Sequence, residues 1–105
     1  MKKTEIAKLT KIKQTKLCKF LYEDHMGEEK AIHCKEIERK YKTNQNVIRY
    51  HIRMLRRDNV PICSSRKGYF YASSFSEIGE TIDYLEKMKN GLTLTIDSLI
   101  GTRPA

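Results

Sequence analysis

Apolar residues recur along this chain at two different spacings, and each spacing predicts an element. Between Ile12 and Met26, the residues Leu17, Cys18, Phe20, Leu21 and Tyr22 form a broad face at helical spacing. Gly27 follows, and a residue at ease with positive φ suits the C′ position of such a helix. Ile37 and Tyr41, four apart, predict a shorter helix over about 35–42. Over 45–57, Ile48, Ile52 and Leu55 fall at i, i+4 and i+7 and predict a buried stripe, with Val47, His51 and Met54 at its margins. Asn44 stands where its side-chain oxygen caps the first turn. Gln45, Asn46, Arg49, Arg53 and Arg56 fall on the opposite side, with Tyr50 beside them.

The spacing then changes. "VPIC" and "YFYA" are rich in β-branched and aromatic residues, and "SSRKG" between them carries Gly68, which can take positive φ in a turn. A β-hairpin is predicted over 60–72. Pro61 lacks an N–H, so its strand begins there or lies at an edge. Helical spacing returns with Ile78, Ile82, Leu85 and Met88, one face of a helix over 76–89. Ser74 and Glu77 form a capping box at its start, and Asn90-Gly91 reads as its stop. Leu92, Leu94 and Ile96 alternate as a strand does, but Leu92, Ile96, Leu99 and Ile100 also fit a short helix ended by Gly101, which is the preferred reading. The expected fold is mainly α with a small β-hairpin. Its divisions are a flexible basic arm (1–10), one domain (11–73) and a C-terminal helical extension (74–105).

Length and charge narrow the picture. The 105 residues suffice for one domain with a modest core. Lys and Arg number 21 against 13 Asp and Glu, a formal charge of +8. Residues 1–73 carry 18 basic and 8 acidic side chains, net +10, while residues 74–105 carry 3 and 5, net −2. Concentrated positive charge is an argument about partners: nucleic acid first, an anionic membrane surface second. No stretch approaches the roughly 18 apolar residues of a membrane span. The charged N-terminus lacks the apolar segment of a signal peptide. Cys18, Cys34 and Cys63 include no C-x-x-C pair, which points to reduced thiols and a cytoplasmic protein. Cys18, His25, His33 and Cys34 match no zinc spacing, and no nucleophile–base arrangement or Gly-rich phosphate loop is present. No enzymatic activity, metal or cofactor is expected.

Arg, Asn and Gln gathered on one helix face are the side chains that pair bidentately with guanine and adenine edges in the major groove. Here the order of elements matters. "NQNVIRYHIRMLRRDNVPI", followed by "RKGYFYA", resembles the winged helix-turn-helix of biotin-repressor N-terminal domains and related transcriptional regulators. Ile48, Ile52, Leu55, Val60, Pro61, Ile62, Gly68 and Tyr69 occupy the matching positions. The resemblance covers about residues 17–72, roughly half the chain. The chain departs from that pattern with Glu38 in place of a small Ala, Lys42 and Thr43 in place of Gly and an apolar residue, and Asn59 in place of Gly.

The resemblance implies that helix 45–57 enters the major groove while hairpin 60–72 flanks it. Gln45, Asn46, Arg49 and Tyr50 are then the expected base contacts. Arg53, Arg66, Lys67 and Lys42 are the expected contacts to the phosphate backbone, which positions without specifying. The expected function is sequence-specific binding of double-stranded DNA by a small transcriptional regulator. Two other functions fit the fold: a protein–protein adaptor, or an architectural or replication accessory DNA-binding protein of a mobile element. The stripe Ile78, Ile82, Leu85 and Met88 has two roles open to it, folding back on the core or pairing with its twin in a homodimer.

Overall fold

The structure, a computed structural model, describes residues 12–102, with side chains from residue 16 onward. The segment expected as a basic arm, 1–10, lies outside the described residues. The described residues are mainly helical with one two-stranded antiparallel sheet. Helix α1 (Ile12–Asp24) leads through a 3-10 turn (Glu28–Lys30) to α2 (Cys34–Tyr41) and α3 (Gln45–Arg57). Strands β1 (Ile62–Ser65) and β2 (Gly68–Tyr71) follow, then one long helix, α4 (Phe75–Gly101).

The core forms where the apolar faces of the first three helices meet one face of the hairpin. Leu17, Cys18 and Leu21 of α1, Ile37 of α2, and Ile48, Ile52 and Leu55 of α3 are buried together with Ile32, Val60, Ile62 and Tyr71. Tyr22 packs edge-on against Tyr71, ring centroids 5.0 Å apart. Asn44 caps α3 as the sequence predicts, its Oδ1 accepting from the Val47 N–H at 3.1 Å.

Two expected boundaries shift. Helix α1 ends at Asp24, before Gly27, because the chain leaves the helix to pair with β2. His25 O accepts from Tyr71 N–H at 2.8 Å, and Gly27 N–H donates to Tyr71 O at 2.8 Å. Gly27 does take positive φ (87°), but in that pairing loop and not as a helix C′ residue. The hairpin turn is also tighter than "SSRKG": Ser64 and Ser65 belong to β1, and only Arg66 and Lys67 lie between Ser65 and its partner Gly68. The hydroxyl of Ser65 accepts the Lys67 N–H at 3.1 Å and steadies that tip.

The larger correction concerns the C-terminal part. Asn90-Gly91 does not stop the helix, which runs unbroken through 92–100, so those residues are helical and not a strand. A Gly inside a helix costs only about 1 kcal/mol relative to Ala. The apolar spacing continues on the same face across it. Glu77 secures the start of α4, accepting from Ser73 N–H (2.7 Å), Ser73 Oγ–H (2.8 Å) and Glu28 N–H (2.8 Å). Ser74 Oγ accepts the Glu77 N–H at 3.3 Å. The capping box therefore forms, with Ser73 taking the reciprocal half. Thr81 lies buried against β1, where its hydroxyl accepts from Ser64 N–H at 3.3 Å and donates to Ser64 O at 3.4 Å. These bonds, with Arg56 below, occupy the outer edge of the hairpin, which would otherwise be an unpaired sheet edge.

Candidate nucleic-acid interface

Helix α3 turns its two faces to different tasks. Its buried stripe fixes the helix on the core, so the opposite face is held rigidly outward. Gln45, Asn46, Arg49, Tyr50, Arg53 and Arg57 are all exposed on that side. Tyr50 packs edge-on beside His51, ring centroids 5.5 Å apart. Arg66 and Lys67 are exposed at the hairpin tip, and Lys42 is exposed in the turn before α3. Lys42 holds a left-handed backbone (φ 51°), a conformation that Gly adopts most readily. Asn59 does the same after α3 at φ 65°, where a short polar side chain tolerates it.

The structure gathers part of this set around one cleft. Arg49 and Arg53 from α3 and Arg66 from the hairpin line a depression of about 530 Å³, bordered on its other side by Tyr84, Leu85 and Met88 of α4. His33 and Tyr69 line it as well. Arg49 and Tyr69 share the lining of this cleft. Burial, then the neighbouring Cys34, raises the Tyr69 phenol, against the opposing Arg56 and Arg49 charges. Among the described residues none of Arg49, Arg53, Arg66 and Lys67 is paired with a carboxylate. Their charge is uncancelled and faces outward.

Gln45 and Asn46 sit apart from that cleft, at the first turn of α3. Gln45 borders a second depression, between α2 and α3, together with Lys35, Arg39 and the carboxylate of Glu38. Those two cations, four apart on α2, carry positive charge past α3, offset in part by Glu38 between them. Their i, i+4 spacing was the available signal. His33 and Tyr69 were also passed over, since nothing local in the sequence places either beside Arg49.

Arg56 separates itself from the other arginines. Its Nε–H donates to Ile62 O at 2.8 Å and its Nη2–H to Ser64 Oγ at 3.0 Å, so the side chain is tied to β1. Burial pulls this guanidinium below its ordinary pKa, yet arginine stays charged in proteins. Arg56 thus clamps the hairpin to α3.

The cysteines offer little reactivity. Burial pushes the Cys18 thiol up to about 11 and raises Cys63 and Cys34 also, which keeps them protonated and poorly nucleophilic near neutrality. Among the described residues no group of three His, Cys, Asp or Glu side chains is placed to hold a metal ion, and no helix is long and apolar enough to cross a membrane. Of the residues expected at a dimer interface, Ile78 is half-buried and Ile82, Leu85 and Met88 are exposed. Comparisons with protein-family models, curated proteins and solved structures find no match for this chain.

Proposed function

We propose that the protein is a sequence-specific double-stranded DNA-binding protein of the winged helix-turn-helix type, acting as a small transcriptional regulator. The observation that carries this reading is the outward face of α3, where Gln45, Asn46, Arg49, Tyr50 and Arg53 are exposed on a helix whose other face is locked into the core. The element order α1, α2, tight turn, α3, hairpin supports it.

In this reading α3 lies in the major groove, where its N-terminal part meets base edges. Gln45 and Asn46 suit adenine, and Arg49 suits the O6 and N7 of guanine. Tyr50 reaches an adjoining base. Arg53, Arg66, Lys67 and Lys42 neutralise phosphates on either side of the groove, and the part of the cleft between Arg53 and Arg66 takes one strand's backbone. Arg66 and Lys67 give the hairpin its use as a wing, a second foothold beside the helix.

The test is fluorescence anisotropy over a salt series. It compares DNA from upstream of the protein's own gene with scrambled DNA, for the wild type and an Arg49→Ala/Arg53→Ala double variant. The wild type is expected to prefer the upstream fragment. The double variant is expected to lose about 1–3 kcal/mol of that discrimination per base contact and about one unit of salt slope per phosphate contact. Equal, steeply salt-dependent binding to both DNAs points instead to phosphate contact alone and an architectural role. Absence of binding at low salt refutes the DNA reading and leaves the adaptor.

A further inference from the structure

Helix α4 leaves the body of the protein after Thr81, with Tyr84, Leu85 and Met88 still bordering the cleft. Every residue from Ile82 to Thr102 is exposed. That projection is about 30 Å long at 1.5 Å per residue. It contains Asn90, Gly91, Thr93, Thr95, Asp97 and Ser98, all of low helix propensity. A helix of this composition does not hold by itself in water, because nucleation is costly and propagation weak. The side chains of Thr93 and Thr95 turn back to the carbonyls of Lys89 and Gly91 at 3.0 Å each and so offer no outside support. Something must cover the helix.

The apolar pattern says what. Read in sevens, Ile78, Leu85, Leu92 and Leu99 take one repeating position, while Phe75, Ile82, Lys89 and Ile96 take the other. These are the d and a positions of a heptad, kept in phase through Asn90-Gly91 by the unbroken helix. Leu92 and Leu99 are 63% and 64% exposed, and Ile82 and Ile96 are 51% and 55%. Leucine at d with β-branched residues at a selects two strands in parallel, and a single Lys at an a position fixes register. We propose that α4 pairs with α4 of a second copy of this chain as a parallel, in-register, two-stranded coiled coil.

The alternatives fit less well. A fully overlapping antiparallel pair sets Lys89 opposite Leu85, pressing an ammonium into an apolar layer. The parallel register sets Lys89 beside its twin, where both long stems can lay their charges out to solvent. The face of α4 that holds Glu77 and Thr81 to the body lies about a quarter-turn from the seam at 3.6 residues per turn, so docking on the body covers Ile78 and Leu85 only in part and leaves Leu92, Ile96 and Leu99 open. Met88 lies on that inner side, bordering the cleft. A parallel pair places both bodies at the same end of the coil, on opposite flanks. If the DNA reading holds, two α3 helices are then offered together to two half-sites.

The inference stands without DNA, and its test uses the full chain alone. Sedimentation equilibrium is expected to give the mass of a dimer, and a Leu92→Glu/Ile96→Glu variant half that mass. Because Leu92 and Ile96 are 63% and 55% exposed and lie beyond Met88, the last residue of α4 to border the cleft, the near-UV signal of the body should persist in the variant. Direction is read from disulfide trapping in a Cys34→Ser background. Lys89→Cys at the seam should link rapidly to its twin under mild oxidant, and Lys87→Cys on the outer face should not. A monomeric wild type, a trimer or larger species, a variant that stays dimeric, or a Lys89→Cys dimer that links no faster than Lys87→Cys would each overturn the proposal. None of these outcomes bears on whether α3 binds DNA.

Discussion

Gly68→Ala is the sharpest single perturbation of this fold. Gly68 opens β2 at φ +120°, a backbone conformation that L residues rarely adopt, and holding an L residue in such a region costs about 1–3 kcal/mol. Space is short as well. A Cβ built there lies 2.5 Å from the Ile32 carbonyl carbon and 2.8 Å from His33 N, and nearer still to Ile32 O. Those atoms are backbone and cannot swing aside as a side chain can. Relief requires the Ile32 segment to move off β2, which stretches the pair Ile32 N–H to Tyr69 O (2.9 Å) and Tyr69 N–H to Ile32 O (2.8 Å). Two backbone hydrogen bonds at about 1 kcal/mol each bring the expected loss to about 3–5 kcal/mol. Small domains hold about 5–15 kcal/mol in all, so the variant should fold only marginally. Urea unfolding followed by circular dichroism measures the difference through the midpoint and slope. Gly79→Ala is the internal control: a Cβ there meets nothing within 4 Å, and the change should stabilise by about 0.5–1 kcal/mol. If Gly68→Ala loses less than about 1 kcal/mol, the close approach of Ile32 to β2 and the strain argument are both wrong.

Two further substitutions test the joints around the hairpin. Arg56→Ala removes both bonds from α3 to β1 and should cost about 2 kcal/mol in urea unfolding, while leaving the salt slope of DNA binding unchanged. Arg53→Ala should show the reverse, since among the described residues its side chain makes no hydrogen bond or ion pair. For Glu77, partial burial raises the carboxyl, but hydrogen bonds from Ser73 and Glu28 outweigh it and hold the group below its ordinary 4.5. A depressed folded value means that its contribution is present above 4.5 and is lost as pH falls through the lower folded value. Glu77→Gln should therefore be less stable than wild type near neutrality, by about 1 kcal/mol. That gap should close in acid, as followed by thermal melts across pH.

What the sequence made legible here was whatever rests on neighbours in the chain. The bounds of α3 follow from Asn44 at one end and the run of Ile48, Ile52 and Leu55 between, and both signals are local. The hairpin is legible from its β-branched and aromatic runs. Three features were not legible, each for a stated cause. Gly27 was placed at a helix end because the pairing of Tyr71 with His25 and Gly27 joins residues far apart in sequence. Asn90-Gly91 reads as a stop because turn chemistry is judged over two residues, whereas the apolar spacing of α4 runs on through both and the helix stays unbroken to Gly101. Arg56 looked like its neighbours because the groups it bonds, Ile62 O and Ser64 Oγ, become its partners only once β1 folds back beside α3. The candidate site was legible as a face of α3, and the cleft that α4 completes was not.

The distribution of arginines on α3 carries a mechanical consequence. Arg53 and Arg49 lie about one and two helical turns before Arg56, and all three line the cleft, yet Arg56 alone of the three is hydrogen-bonded to the hairpin backbone and to Ser64 among the described residues. A wing is useful to a DNA-binding helix only if the distance between the two is fixed, because a phosphate contact that drifts cannot hold base contacts in register. Arg56 sets that distance from the α3 side, and Gly68 sets it from the opposite side by letting β2 seat against Ile32. Thr81 closes the outer edge of β1 from α4. The hairpin is thus fastened on three sides by residues that face inward, with Arg66 and Lys67 left free at its tip. Specificity in the proposed function should accordingly be sensitive to residues that never touch DNA: weakening Arg56 should blunt discrimination between DNA sequences while the nonspecific, salt-dependent part of the affinity survives. A variant that loses both together would mean that Arg56 itself meets the duplex, contrary to the bonds that hold it against β1.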